Sequence, residues 1–158
     1  MYRISKTFEF SAAHQLLGLP DEHKCARVHG HNYKVEVFLE SPVLDLTGFV
    51  RDYGELRPLK WWLEQTFDHR NCNDVMAQPT AELMAKLVYE RAATMFPEVT
   101  AVRVSETENT TAWYAPHSLP PLDTVLNAIE TLAEEPVDNS ERSRLVTALK
   151  TVLGLREV

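Results

Sequence analysis

Residues 25–33 read CARVHGHNY, which sets a cysteine and two histidines within seven positions. On an extended backbone His29 and His31 project to the same side, and Gly30 between them lets the chain come close to whatever they hold. Two imidazoles on one face are half of a zinc site. Such a site takes a third protein ligand and, when catalytic, leaves a fourth position for water or substrate. His14 is the candidate third ligand, because it lies just past a first extended segment that would have to pair beside the one carrying His31. Spacing alone leaves this balanced against three histidines satisfied by ordinary hydrogen bonds.

Cys25 raises a second question. As a fourth ligand it would close the site around a structural zinc; left free, it would stand beside an open, catalytic one. A lone cysteine is also commonly a small buried hydrophobe. Here His23, Lys24 and Arg27 surround it, and positive neighbours favour the thiolate. Cys72, in NCND with only Arg70 near it, reads as inert. Asp68 and His69 are adjacent, and an aspartate can hold and polarise a neighbouring imidazole for proton transfer, although the dipeptide also suits a helix end. Glu106 follows Val102 and Val104 at period two, so it is expected on their interior face. A carboxylate there needs a partner, and a guanidine-like edge offering two parallel N–H donors would satisfy it. The alternative is a strand-end residue turned to solvent.

These groups need elements to carry them. Ile4, Phe8 and Phe10 alternate in YRISKTFEF, as do Tyr33, Val35, Val37 and Leu39 in YKVEVFL, so both segments are expected as half-buried strands. The long connection between them holds three of the six histidines, and loops of that length are usually functional or disordered. DLTGFVRDY (45–53) suggests a turn and a short strand. Leu56, Leu59, Leu63 and Phe67 then recur at helical spacing, with Pro58 tolerable in the first turn. A second helix is expected over 78–97, capped by Thr80, stopped by Pro97, and facing inward through Leu83, Leu87, Val88, Met95 and Phe96. TAVRVSETE and TTAWYAP close the pattern as two strands. Strands, two helices, then strands predict an α+β domain, an antiparallel sheet with helices on one face.

Beyond PHSLPPL the character changes. Leu122, Val125, Leu126, Ile129 and Leu132 form one helical stripe and Leu145, Leu149, Val152 and Leu153 another. The expectation is a domain over 1–118 and a helical hairpin appended over 119–158. A length of 158 residues suits one such domain with an appendage. A net charge of −7 argues against a nucleic-acid surface, and no apolar run is long enough to span a membrane. MYRISKTFEF lacks the basic, apolar and small-residue succession of a secretion signal, so a cytoplasmic location is expected.

FSAAH, CARVHGHNY, RDYGEL, FDHRNCND, QPTAE and VRVSETE, in this order over residues 1–117, closely resemble the 6-pyruvoyl-tetrahydropterin synthase and 6-carboxy-tetrahydropterin synthase family. The resemblance implies the tunnelling fold: a four-stranded antiparallel sheet backed by two helices, with subunits joined through their sheets into barrels and active sites between subunits. It implies His14, His29 and His31 as ligands of Zn2+, and Cys25 as acid or base rather than ligand. Asp68 and His69 become its proton-handling partners, Glu106 the anchor of the pterin ring, and Thr80 a neighbour of the pterin. Lys24 and Arg27 are candidate contacts of a triphosphate.

Three residues separate Cys25 from His-Gly-His, which is similar to the bacterial 6-carboxy branch of the queuosine and 7-deazapurine pathway; the 6-pyruvoyl enzymes have a longer gap. An aldolase branch carries Glu at the cysteine position, and Cys25 argues against it. The substrate implied is 7,8-dihydroneopterin triphosphate, and the products 6-carboxy-5,6,7,8-tetrahydropterin, acetaldehyde and triphosphate. A non-catalytic, zinc-stabilised pterin-binding module is the rival from another class, and the intact set of Cys25, Asp68, His69 and Glu106 speaks against it. Gln78 departs from the family's usual Asn, a difference that reads as an adjustment at the start of the second helix.

Overall fold

The computed structural model describes residues 1–116. The helical hairpin expected over 119–158 lies outside the described residues. Four strands, β1 (Tyr2–His14), β2 (His29–Ser41), β3 (Val99–Thr107) and β4 (Thr110–Tyr114), form one antiparallel sheet in the order β1-β2-β3-β4. Two helices, α1 (Arg57–Thr66) and α2 (Ala81–Met95), cover one face of it. Among the described residues no helix is long and apolar enough to cross a membrane.

Period-two alternation sets the sheet's two faces. Phe8, Phe10, Ala12 and His14 of β1 are buried with Tyr33, Val35, Val37 and Leu39 of β2. The intervening residues form a largely polar outer face, where Ser5 donates to Glu36 and Ser11 to Asn32, interrupted by Phe38 packed against Trp113. β1 and β2 pair along their whole length, from Tyr2 opposite Ser41 to His14 opposite His29. Ala12 therefore faces His31 across the ladder. β3 and β4 pair with one irregularity: Ser105 lies opposite Thr111 and Thr107 opposite Thr110, so Glu106 is the extra residue of a bulge.

The helices follow the apolar spacing. Leu56, Leu59, Leu63 and Phe67 are all buried, and Pro58 sits in the first turn of α1. Thr80 caps α2 by accepting from the Leu83 N–H at 3.3 Å. The inner stripe of α2 differs from the expected one. Met84, Ala85, Val88 and Ala92 are buried, whereas Leu83 is 45% exposed, because capping at Thr80 puts Leu83 in the first turn on the outer side. Segment 45–53 also differs: it holds a turn and no strand. Asp45 accepts from the N–H groups of Thr47 and Phe49, and Asp52 accepts from the Gly54 N–H at 2.7 Å, so local side-chain acceptors commit this backbone to turns.

After α1 the chain runs alongside the end of β1. Asp68 accepts from the Ser11 N–H at 3.0 Å, the His69 N–H donates to the Ser11 carbonyl at 2.7 Å, and the Ala13 N–H donates to the Arg70 carbonyl at 3.0 Å. His69 adopts φ +55°, the left-handed conformation common just past a helix end.

Two outcomes test this packing. Leu63→Ala should cost about 2–5 kcal/mol in urea unfolding, while Leu83→Ala should cost about 1 kcal/mol or less. The Ser11 N–H, and next the His69 ring, hold the Asp68 carboxyl below the ordinary carboxylate range. Folding thus favours the ionised form; its contribution is complete above an unfolded-chain value of about 3.9 and fades as pH falls through the lower folded one. Asp68→Asn should accordingly flatten the loss of stability between about pH 5 and pH 2.

Candidate metal centre and its surroundings

The β1–β2 register delivers three imidazoles to one place. His14 and His29 are direct cross-strand partners, and His31 is the next residue of β2 on the same face. One ring nitrogen from each lies within 4.8 Å of the others, and His14 is essentially fully buried. Gly30, between the two β2 histidines, sits close to β1: a Cβ there would meet the Ala12 carbonyl oxygen at 3.3 Å, so a side chain would need the two strands to give by a few tenths of an ångström.

The hydrogen bonds behind the rings settle their tautomers. His14 Nδ1 lies 2.8 Å from the Pro79 carbonyl oxygen and His29 Nδ1 2.8 Å from that of Arg27. A carbonyl only accepts, so both Nδ1 atoms carry the proton and, in the neutral rings, both Nε2 atoms are bare lone pairs. Those two Nε2 atoms face each other at 3.0 Å. Two bare acceptors at that distance repel, so the pair needs a shared cation, either a proton or a metal ion. Two nitrogens about 2.05 Å from one tetrahedral zinc would be about 3.3 Å apart, close to the observed separation. The donor set therefore fits a zinc ion held by three imidazoles. Burial, the largest influence, lowers the His31 pKa, with Glu106 opposing it; His14, His29 and Lys24 add to the lowering.

Glu106 reaches this cluster from the bulge in β3. Its Oε1 is 3.8 Å from His14 Nε2, and its side chain is only a quarter exposed. It faces inward, as expected of it from Val102 and Val104. Together with His31 and Asp68 it lines a groove of about 730 Å³, and with Thr80, Leu16, Thr110 and Thr111 a second of about 370 Å³.

Asp68 and His69 stand together past α1, with Asp68 Oδ2 3.0 Å from His69 Nδ1. The carboxylate is held by the Ser11 N–H, while the ring is 82% exposed on its side chain. His69 and His31 both line a further groove of about 490 Å³. No hydrogen bond within the described residues joins this pair to Cys25.

Cys25 is carried on a short 3-10 turn (Lys24–Ala26) in the loop between β1 and β2 and is partly exposed. The His23 ring accepts from its backbone N–H at 3.1 Å. Neither Cys25 nor Glu106 belongs to the group of clustered ligand atoms. Lys24 is near enough for its charge to act on His31, and Arg27 contributes its carbonyl to His29. Cys72 is fully buried, and burial pushes its thiol up to about 11.

Sequence reasoning missed the residues that act through backbone or amide groups. The carbonyls of Pro79 and Arg27 orient two of the rings, and Ser11 holds Asp68. Gln15, Asn73 and Gln78 hold the loop that carries Cys25. No spacing signal marks a backbone carbonyl; Asn73 was visible only as a residue type, and Gln78 only as an adjustment at the start of the second helix.

The chain is similar to several proteins of known name. A protein of Archaeoglobus fulgidus provisionally named a 6-carboxy-5,6,7,8-tetrahydropterin synthase is 36% identical over 106 residues, spanning 67% of this chain and 89% of that one. The 6-carboxy-5,6,7,8-tetrahydropterin synthase of Synechocystis sp. is 34% identical over 130 residues, spanning 77% and 99%. The structure of Caenorhabditis elegans 6-pyruvoyl tetrahydropterin synthase superposes with a TM-score of 0.65 at 26% identity, covering 72% of this chain and 94% of that one. The family model described as 6-pyruvoyl tetrahydropterin synthase matches residues 3–117. With that match spanning nearly all of the described residues, and with the sheet, helices and histidine cluster in place, the chain belongs to the 6-pyruvoyl tetrahydropterin synthase family and has its tunnelling fold.

Proposed function

We propose that this chain is a zinc-dependent 6-carboxy-5,6,7,8-tetrahydropterin synthase. It converts 7,8-dihydroneopterin triphosphate and water to 6-carboxy-5,6,7,8-tetrahydropterin, acetaldehyde and triphosphate, and serves queuosine or other 7-deazapurine synthesis in the cytoplasm. The observation that carries this reading is the pair of bare imidazole nitrogens facing each other at 3.0 Å, with a thiol outside the ligand group. The names of the curated relatives support the choice of product.

Zinc held by His14, His29 and His31 would supply Lewis acidity toward the hydroxyls of the substrate's side chain. The chain's own groups do the remaining work. Glu106 receives the amino-pyrimidinone edge of the pterin through two parallel hydrogen bonds, a geometry that fixes the ring's orientation. Thr80 lies on the wall of the cleft that Glu106 lines. Cys25 takes and returns a proton at the substrate's side-chain carbons, and His69, held by Asp68, relays protons to and from the reacting atoms. Lys24 and Arg27 meet the triphosphate charge. Following the family resemblance, we read Asp68 and His69 as meeting Cys25 across a subunit contact, so that the active site is completed by self-association.

Likeness to the C. elegans enzyme favours a second reading, triphosphate elimination to a 6-pyruvoyl product. Mass spectrometry of the products, after anaerobic incubation of zinc-loaded protein with 7,8-dihydroneopterin triphosphate, separates the two. A 6-carboxy product with acetaldehyde is expected; a 6-pyruvoyl product would replace the first reading with the second, and pterin binding without turnover would remove both. Cys25→Ala should keep its zinc and lose about 10²- to 10⁴-fold in kcat. His14→Ala should lose the metal; metal lost with Cys25→Ala instead would make the thiol a ligand.

A further inference from the structure

Between His14 and His29 the chain leaves the sheet, and the first residues of that excursion are held as a strand would be, but by side chains. The carboxamide of Asn73 accepts from the Gln15 N–H at 2.8 Å and donates to the Gln15 carbonyl at 2.9 Å. The carboxamide of Gln78 accepts from the Leu17 N–H at 2.9 Å and donates to the Leu17 carbonyl at 3.1 Å. Each amide thus engages both polar groups of one backbone residue. In an extended segment residues i and i+2 point their backbone groups to the same edge and residue i+1 to the other. Leu16 obeys this alternation: its N–H points away from the two amides and donates to the carbonyl of Cys25 at 2.9 Å. The Gln15 side chain donates to the next carbonyl, that of Ala26, at 2.7 Å. The returning limb that carries the thiol therefore hangs from residues 15–17, and residues 15–17 hang from Asn73 and Gln78.

The anchors are themselves fixed. Asn73 N–H donates to the Asn71 side chain at 3.1 Å, in a 3-10 turn (Cys72–Asp74) whose first residue is in the core. Gln78 precedes Pro79, whose carbonyl takes the His14 ring, and Thr80, which caps α2. The same three-residue stretch thus sets both the orientation of a metal-binding imidazole and the position of the loop. A carboxamide is required for this task because it offers one donor and one acceptor side by side, as a peptide group does.

We infer that Asn73 and Gln78, acting through Gln15, Leu16 and Leu17, are positioning residues for Cys25. This rests on the reading of Cys25 as the proton-transfer group. Neither amide touches the reacting atoms; they hold the thiol in register with the metal site, and a displacement of about 1 Å at such a group can cost about 10²-fold in rate.

The test uses the full-length, zinc-loaded protein and the isosteric variants Asn73→Asp and Gln78→Glu. Each keeps the acceptor and replaces the donor with a second acceptor facing a carbonyl. Zinc content, kcat, KM, melting temperature and the iodoacetamide alkylation rate of Cys25 at fixed pH are measured, with buried Cys72 as the unreactive internal reference. The expectation is a fall in kcat of about 10- to 100-fold, a KM change of less than about threefold, retained zinc, and a Cys25 alkylation rate altered by at least about threefold. A lowered melting temperature with unchanged kcat and unchanged Cys25 alkylation would overturn the proposal, as would loss of zinc in step with activity. Gln78→Met, which keeps the length of the side chain and removes both donor and acceptor, covers the case in which a charged variant does not fold: an alkylation rate and kcat equal to the parent's would overturn the proposal. Cys25→Ala separates the two readings. Undiminished activity in that variant defeats the catalytic role of Cys25, while altered alkylation in the amide variants still reports the positioning.

Discussion

Everything in this site depends on the antiparallel register of β1 and β2. The two strands pair over thirteen residues each without a shift, and that alignment alone sets His14 opposite His29. A slip of one residue would turn every side chain of one strand to the other face, sending Phe8 and Phe10 into solvent and His14 out of the cluster. The stability of the core and the assembly of the histidine cluster are thus one constraint. Tyr33, fully buried, packs edge-on against both His14 and His31, so the aromatic floor of the cluster is continuous with the core.

Around that ladder, polar groups finish what the sheet begins. Carbonyls of Pro79 and Arg27 choose the tautomers, the bulge brings Glu106 to His14, and the backbone of Ser11 grips Asp68 from its N–H and His69 through its carbonyl. The His14, His29 and Asp68 contacts each pair a side chain with a backbone group, the Glu106 contact pairs two side chains, and the His69 contact is between backbone groups. Outer contacts of this kind fix a metal-binding ring's tautomer and orientation and raise its basicity.

Much of this was legible beforehand, and the reasons are physical. Alternation in β1 and β2 and the Leu56-Leu59-Leu63-Phe67 spacing follow from burial against a single core, which leaves a periodic trace. The His-x-His pair is legible because two residues of one strand share a face. Other features leave no such trace. Leu83 has the right residue type and nearly the right spacing, but the cap at Thr80 rotates it outward. The strand expected within 45–53 yields to two aspartates that capture nearby N–H groups. The bulge that leaves Glu106 unpaired is a one-residue mismatch between β3 and β4, and neither strand reveals it alone. The amides of Asn73 and Gln78 act on backbone groups more than fifty positions away.

The left-handed backbone at His69 has a consequence for what selection can have favoured there. Residues with a Cβ are disfavoured at positive φ by about 1–2 kcal/mol, whereas glycine adopts it freely and asparagine with little strain. His69 ends a helix in the manner that either would serve better, and its ring is mostly in solvent, contributing little to packing. A chain shaped for stability alone would carry glycine at 69. On the reading of His69 as a proton relay, folding robustness and chemical utility pull against each other at this position, and a variant chosen for thermal endurance gives up the ring first.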